Sequence, residues 1–484
     1  MWRIGGHRTS TLDRALFLIA ALVLLVSTTF ILKPIVVGDA GEYLLMTESL
    51  LHHGTPDLRP KDVVSLARLD ERLQTRINFW RAMQRYYQDE DGDWYSYHFW
   101  GYSLLVVPVR ALFAVLGLNG LRAPITTNAV ILLIALHQSL FASRLGSGGR
   151  RFVFWLAFLS PVFWYVRWIH TEVLVFSGVL LSLVWLWEDR RLAPIVPAAL
   201  ASMQAPPLTL LAAALWIRAV LTRPRRWRVV ALASALALPA VASPLFYWAW
   251  FGVPSLIARE TTDWRLLSLR RVLDLFFDLN IGLLPYAPMT ITLGLAGALL
   301  LPFQRHSSFV LRTLPAVLVA AAAGCTVTNN WNHGAIGPSR YAVWLSPFLI
   351  MFAVAARNYY PMSLRRFWAA SLTFSVAFQW LIVLGLGGFA ASPNYLEHSY
   401  AAKWVLDHAP ALYSPDHSVF MKRTAGRLPL PGGPYVYPSG GPCRKALARP
   451  RHGAALRERC GFWPEDASEF FSGAEGFGWR YVTY

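Results

Sequence analysis

Charge is scarce in this sequence of 484 residues: 15% are Asp, Glu, Lys or Arg, and 55% are hydrophobic. A soluble protein carries about 25% charged residues. The mean hydropathy is +0.39. The apolar residues come in blocks of the ~20-residue length that crosses ~30 Å of hydrocarbon. A soluble globular protein is excluded, and an all-α polytopic membrane protein is implied. Acids are scarcer still, 27 against 45 bases, leaving a net charge of +18, nearly all from arginine. Those arginines sit in short loops between apolar runs, which is the positive-inside pattern rather than a nucleic-acid-binding face. They set orientation and face anionic lipid headgroups. Membrane lipids are therefore expected partners and nucleic acid is not.

Cysteine is also rare, with three in all. Cys325 lies in an apolar run and reads as a buried thiol. Cys443 and Cys460 lie in the polar tail and can pair if that tail faces an oxidising compartment. Such a bridge is worth about 3 kcal/mol in the chain-entropy model. Arg3, Arg8 and Arg14 precede the apolar run from Ala15 to Leu32. That run is long for a signal peptide and no small-residue cleavage site follows it, so a retained first helix is expected.

The apolar runs cover 12–32, 99–117, 123–143, 152–169, 171–187, 193–221, 228–251, 281–303, 309–327, 340–356 and 368–390. Arginines at 144, 150 and 151, at 190 and 191, at 223–228, at 305 and 312, and at 357–366 place those loops inside. Simple alternation then fails twice. It is restored if 99–117 lies along the outer face, with Arg110 partly wet. It also needs Pro206 and Pro207 to split 193–221 into a hairpin of 193–204 and 207–221. The expected result is 11 spanning helices, with the N-terminus cytoplasmic and the C-terminus outside. Two units follow, a membrane domain over 1–390 with a first outer loop at 34–98, and a small extracytoplasmic domain over 391–484.

The outer segments have features of their own. Leu66, Leu69, Leu73, Ile77, Trp80, Met83 and Tyr87 recur at three and four, predicting an amphipathic helix over 57–90 that lies on the bilayer or on the protein. Arg85 falls on its polar side. "DEDGDW" lacks a full calcium-ligand loop and reads as a solvated turn. "GLGG" at 385–388 has no strand–helix setting and reads as helix packing. Arg259, Arg265, Arg270 and Arg271 stand on the outer loop 252–280 against the charge rule, as a phosphate-handling loop would.

Polar residues gather on this outer side. Asp39 and Glu42 open the first outer loop, and Tyr97 and His98 close it. His170 and Glu172 mark the second outer turn. His333, Arg340 and Tyr341 mark the last. Ionisable residues at a membrane edge are functional candidates. Each has a simpler reading: Asp39 as a helix cap, Glu172 as a partner of Arg167, Arg340 as an interfacial anchor. Their convergence on one face favours function.

"VVGDAGEYLLMTESLLHHGTPD" resembles the first outer loop of the GT-C superfamily, membrane glycosyltransferases that use polyprenyl-phosphate-linked sugars. "YSYHFWGYSLL", "LAFLSPVFWYVRWIHTEVLVF", "LLPYAPMTITLGLAGALLL" and "WNHGAIGPSRYAVWLSPFL" are similar to later segments of bacterial members, over roughly residues 10–390. "HFWGYSLL" stands where relatives often carry a proline pair. The resemblance implies an inverting, single-displacement transfer of a hexosyl or pentosyl unit. The acceptor would be an envelope glycan, lipid or protein, and the setting the outer face of a bacterial inner membrane. Asp39 becomes the expected base, with Glu42 and Glu172 supporting it or holding a divalent cation (Mg or Mn), as in some relatives. Arg340 is expected to hold the donor phosphate. His333, His170, Tyr341, Tyr97 and His98 are expected to contact substrate. A transporter or flippase of a lipid-linked intermediate is the alternative, though no internal repeat is evident. A non-catalytic envelope-assembly scaffold is another.

Overall fold

The computed structural model describes residues 10–221, 227–300, 309–329, 331, 337–359, 362–391, 395–427, 432–461 and 478–484. Helices dominate. The first, α1 (Thr11–Val26), starts at Ser10, whose hydroxyl accepts from the Asp13 amide while the Asp13 carboxylate accepts from the Ser10 amide. A π-turn at Ser27–Ile31 extends it to a 21-residue apolar span.

The first outer loop is a small folded unit. It contains α2 (Ala40–His53), α3 (Pro60–Leu73), α4 (Phe79–Met83) and the antiparallel hairpin β1 (Tyr86–Gln88) and β2 (Trp94–Ser96). The single amphipathic helix expected over 57–90 is not found. Gln74 takes a left-handed conformation and stops α3, and the chain turns twice more before the hairpin. Leu66 of α3 is buried in the protein's own core with Tyr43, Leu45 and Phe113. The acids of "DEDGDW" form the exposed hairpin turn.

Next come α5 (Gly101–Val115) and α6 (Ala123–Leu140). Arg110 of α5 is not wet. It is buried and holds Glu48 of α2 through two hydrogen bonds of 2.6 and 3.0 Å. Then α7 (Gly146–Phe158) ends before Ser160-Pro161, so the run 152–169 is not one helix: a short α8 (Val162–Tyr165) and a turn separate it from α9 (Glu172–Trp187). The expected break at Pro206 separates α10 (Ile195–Gln204) from α11 (Thr209–Leu221). The run 228–251 is two helices, α12 (Trp227–Ala237) and α13 (Pro239–Phe251), bent by 61° where Pro239 interrupts the ladder.

The outer loop that follows carries α14 (Leu256–Thr261) and α15 (Leu269–Phe277). Three of its four arginines have partners within the protein. Arg265 pairs with Asp263, and Arg270 meets the Ser414 carbonyl. Arg271 is buried against Asp416 and the carbonyls of Thr326 and Thr328. The later helices are α16 (Pro288–Leu300), α17 (Phe309–Thr326), α18 (Arg340–Tyr359) and α19 (Met362–Gly385). Gly294 and Gly297 let α16 lie against the α18 backbone, where a Cβ on Gly297 would sit 2.3 Å from the Phe352 carbonyl oxygen. "GLGG" does not pack helices: Gly387 and Gly388 take positive φ and turn the chain out of α19.

Among the described residues, four helices are long and apolar enough to cross a membrane, or five counting the bent pair, and six more are apolar but shorter. The expected total of eleven crossings remains an expectation. The tail is more ordered than its composition suggested. It carries α20 (Tyr400–His408), α21 (His417–Ala425), α22 (Gly453–Cys460) and an antiparallel sheet of β3 (Tyr435–Tyr437), β4 (Lys445–Ala448) and β5 (Arg480–Thr483). Cys443 and Cys460 are bonded, with Cα atoms 5.5 Å apart. The tail docks on the α15 loop through Asp416 with Arg271, and through Tyr413 and Ser399 with Asn280.

Candidate active site

Gly38 positions the acids. Its φ of +62° turns the chain sharply into α2 and leaves Asp39 at the N-cap. The Asp39 side chain makes no capping bond. A parallel bridge just upstream explains its direction: Ile35 donates to the Arg167 carbonyl at 2.8 Å, which lays residues 35–39 beside the second outer turn. Asn128 fixes that turn from α6, donating to the Trp168 carbonyl at 2.9 Å. His170 is thereby held with Nε2 3.1 Å from Asp39 Oδ2. Trp168 stacks on its ring at 4.5 Å.

The hairpin supplies two further groups. Pairing of Tyr86 with Ser96, extended by the Tyr97 amide donating to the Arg85 carbonyl, places Arg85 and His98 at the same end of the ribbon. Arg85 Nη1 bonds Asp39 Oδ1 and lies 3.2 Å from Glu42 Oε1. His98 sits between the two acids, Nδ1 at 2.7 Å from Glu42 and Nε2 at 3.2 Å from Asp39. Ser96 donates to Glu42 at 2.9 Å. The Tyr247 hydroxyl of α13 lies 2.7 and 2.5 Å from the Ser96 and His98 carbonyls and pins the ribbon.

Arg340 closes the cluster from α18. Its Nη1 is 3.6 Å from Asp39 Oδ2 and 3.4 Å from His170 Nε2, and its Nη2 donates to the Tyr341 hydroxyl at 3.2 Å. Glu172 stands 2.7 Å from His170 Nδ1, without the angle of a hydrogen bond. It does not pair with Arg167, which bonds the carbonyls of Lys33 and Phe389. Four cationic groups thus face three carboxylates in a buried space. Asp39 is 5% exposed, not at a wet edge as its sequence position suggested.

The charges decide the protonation states. Burial would raise the Asp39 carboxyl, but the charge of His98 and the bonds from His170 and His98 outweigh it and hold the acid well below its usual range. Burial would lower His98, but Asp39 and Glu42 push it up to about 9. His170 is raised too, by Glu172 and Asp39 against its burial. Both shifts favour the protonated imidazole, and His98 is a cation at neutral pH.

Of the residues singled out in the sequence, Asp39, Glu42, His98, His170, Glu172 and Arg340 meet in this cluster. Tyr341 lies under the Arg340 guanidinium, 5.1 Å from Cζ to the ring centre. Tyr97 flanks it, with its ring 4.3 Å from His98. His333 lies outside the described residues. Arg85, Ser96, Trp168 and Tyr247 were not foreseen. Asp39, Glu42 and His98 also offer ligand atoms all within 4.8 Å of one another, a set that fits one divalent cation once His98 has released its proton. The buried His98 Nε2 has no hydrogen bond of good geometry, which agrees with that use.

No family model matches the sequence, and no curated protein matches it. Two solved structures are similar in chain path. One is ArnT from Cupriavidus metallidurans in the apo state: 15% identity, TM-score 0.41, over 75% of this chain and 62% of that one. The other is the Archaeoglobus fulgidus oligosaccharyltransferase with Zn and sulfate: 12% identity, TM-score 0.39, over 81% and 55%. This chain thus spans less than two thirds of the length of either.

Proposed function

We propose that this chain is a GT-C-type membrane glycosyltransferase. It moves a hexosyl or pentosyl unit from a polyprenyl-phosphate donor to an envelope glycan, lipid or protein, on the outer face of a bacterial inner membrane. The buried cluster of four cations and three carboxylates carries the proposal. It combines receptors for a departing phosphate with a carboxylate for an acceptor hydroxyl.

In the proposed reaction the acceptor oxygen attacks the anomeric carbon, the bond to the phosphate oxygen breaks, and the hydroxyl proton passes to Asp39. The resting cluster makes Asp39 a weak base, because its cations favour the bare carboxylate. An incoming phosphate competes for those cations. Guanidinium binds phosphate oxygens in pairs. As Arg85 and Arg340 turn to it, Asp39 becomes more basic in the complex that needs it. Glu42 and Glu172 act through His98 and His170 as positioning groups.

A divalent cation, Mg or Mn, remains part of the proposal. Asp39, Glu42 and His98 would hold it, the carboxylates as the ligands suited to Mg or Mn and His98 only after losing its proton. It would supply positive charge at the leaving phosphate.

The test is mass spectrometry of polyprenyl-phosphate sugars and envelope glycans in a deletion strain. One lipid-linked sugar should accumulate and one glycan substituent should vanish, both restored by the wild-type gene and not by Asp39→Asn. Unchanged lipid and glycan profiles would sink the proposal.

A further inference from the structure

A cavity of about 450 Å³ lies between the outer end of α19 and the tail. That volume is in the range of small-ligand sites, roughly 300–1,000 Å³. None of its lining residues belongs to the Asp39 cluster. Gly337 in its wall stands three residues before Arg340, and the neighbouring Pro338 carbonyl accepts from Tyr165 at 2.9 Å.

Its walls differ in chemistry. Ile382 and Leu386 line one side at the end of a 22-residue apolar span. The neighbouring Leu381 and Leu384 are exposed on that span, so the side is continuous with the lipid-facing surface of α19. The opposite wall belongs to the tail and carries Lys403 and Arg423. Lys403 is paired with Glu397 at 3.3 Å, and Arg423 donates to the Glu397 carbonyl at 2.8 Å. His398 adds no charge, because burial and the nearby Arg423 and Lys403 push it down to about 3. Two cations and one carboxylate leave the wall net positive. Tyr400 at the rim and Trp404 one turn on are exposed, as aromatic residues at a membrane–water boundary often are.

We propose that this cavity binds the phosphate headgroup of a membrane amphiphile, with the headgroup on Lys403 and Arg423 and the hydrocarbon chain along α19. The charge fits an anion and not a neutral lipid. The apolar wall, open to the bilayer, fits a lipid and not a free ion. The site stands apart from the transferase reading and does not need it to be true.

The test uses the full chain with photoreactive benzoylphenylalanine in place of Leu386, irradiated in detergent with dioctanoyl phosphatidic acid. Labelling should saturate, and dioctanoylglycerol, which lacks the phosphate for both cations, should label at least about tenfold less, a difference of about 1.4 kcal/mol. Excess inorganic phosphate should not compete. Lys403→Gln should reduce labelling by about threefold and Lys403→Glu by more. Lys403 is half-exposed, and monodispersity on gel filtration checks that the variants fold. Asp39→Asn should leave labelling unchanged, which separates this site from the cluster and its failure from that of the transferase reading. Equal labelling by dioctanoylglycerol, competition by inorganic phosphate, indifference to Lys403→Glu, or loss with Asp39→Asn would each overturn the proposal.

Discussion

Asp39 is the one residue in the cluster that touches every cation in it. Its Oδ1 takes Arg85, while its Oδ2 faces His98, His170 and Arg340 within 3.6 Å. Asp39→Asn keeps the volume and removes the charge that holds these groups together. Transfer should fall by about 10²–10⁴, the usual share of general acid–base catalysis. Stability should fall as well, because removing one partner of a buried pair costs about 3–5 kcal/mol. Turnover must therefore be measured on folded, monodisperse protein with a polyprenyl-phosphate sugar. Near-normal turnover would pass the base role to Glu42 or Glu172. Arg340→Lys keeps the charge and loses the paired geometry, so KM for the donor should rise more than kcat falls. A change in kcat alone would remove Arg340 from donor binding.

At the scale of elements, α15 shows what sequence could and could not reveal. The four arginines of its loop broke the charge rule and read as handling phosphate, yet Arg271 is taken up by Asp416 of the tail and by the Thr326 and Thr328 carbonyls. Arg85 failed in the opposite direction. The apolar period of α3 continues past Leu73, so Arg85 fell on the polar side of an imagined longer helix. The three-residue strands around "DEDGD" are too short to announce a hairpin, and only that hairpin brings Arg85 to Asp39. The other site residues were legible because each is ionisable at the edge of an apolar run, where few residues of that kind occur. The break before Pro206 was legible for a local reason, proline geometry.

The helix α15 also carries a titration. Burial, then the neighbouring charge of Asp278, pushes the Asp274 carboxyl up to about 8 from an ordinary 3.8. Its Oδ2 is buried without a hydrogen bond. Between those two values the folded protein keeps a proton that the unfolded chain releases, so the contribution is full below about pH 4 and is lost as pH rises through about 8. Asp274→Asn should therefore raise the unfolding temperature relative to wild type more at pH 8 than at pH 5. An equal difference at both pH values would show that Asp274 does not titrate this way.

The whole molecule has two chemically distinct ends, and the charge rule predicts an orientation from them. At one end the start of α1 is tied to α7, with Asp13 bonded to Arg151 at 2.8 Å and paired with Arg150 at 3.4 Å. On that side too, Arg144 and Arg218 share Asp189, and Arg357 of α18 lies over Phe152 of α7. At the other end lie Asp39, His170, Arg340, the α15 loop and the tail. Short loops rich in arginine at the first end are the signal that membrane insertion reads, and the charge rule expects them to be retained inside. The packing of α5 on α2, through the buried Arg110–Glu48 pair, keeps α5 with the outer unit and supports its non-spanning assignment. Reporter fusions after residues 145, 225 and 360 should therefore read cytoplasmic, and a fusion after residue 484 should read external. If α5 crossed instead, every later loop would invert, and the fusions at 145 and 484 would exchange their readings. A cytoplasmic signal at 484 would put the tail and its disulfide in a reducing compartment, and would separate them from the donor proposed for the outer face.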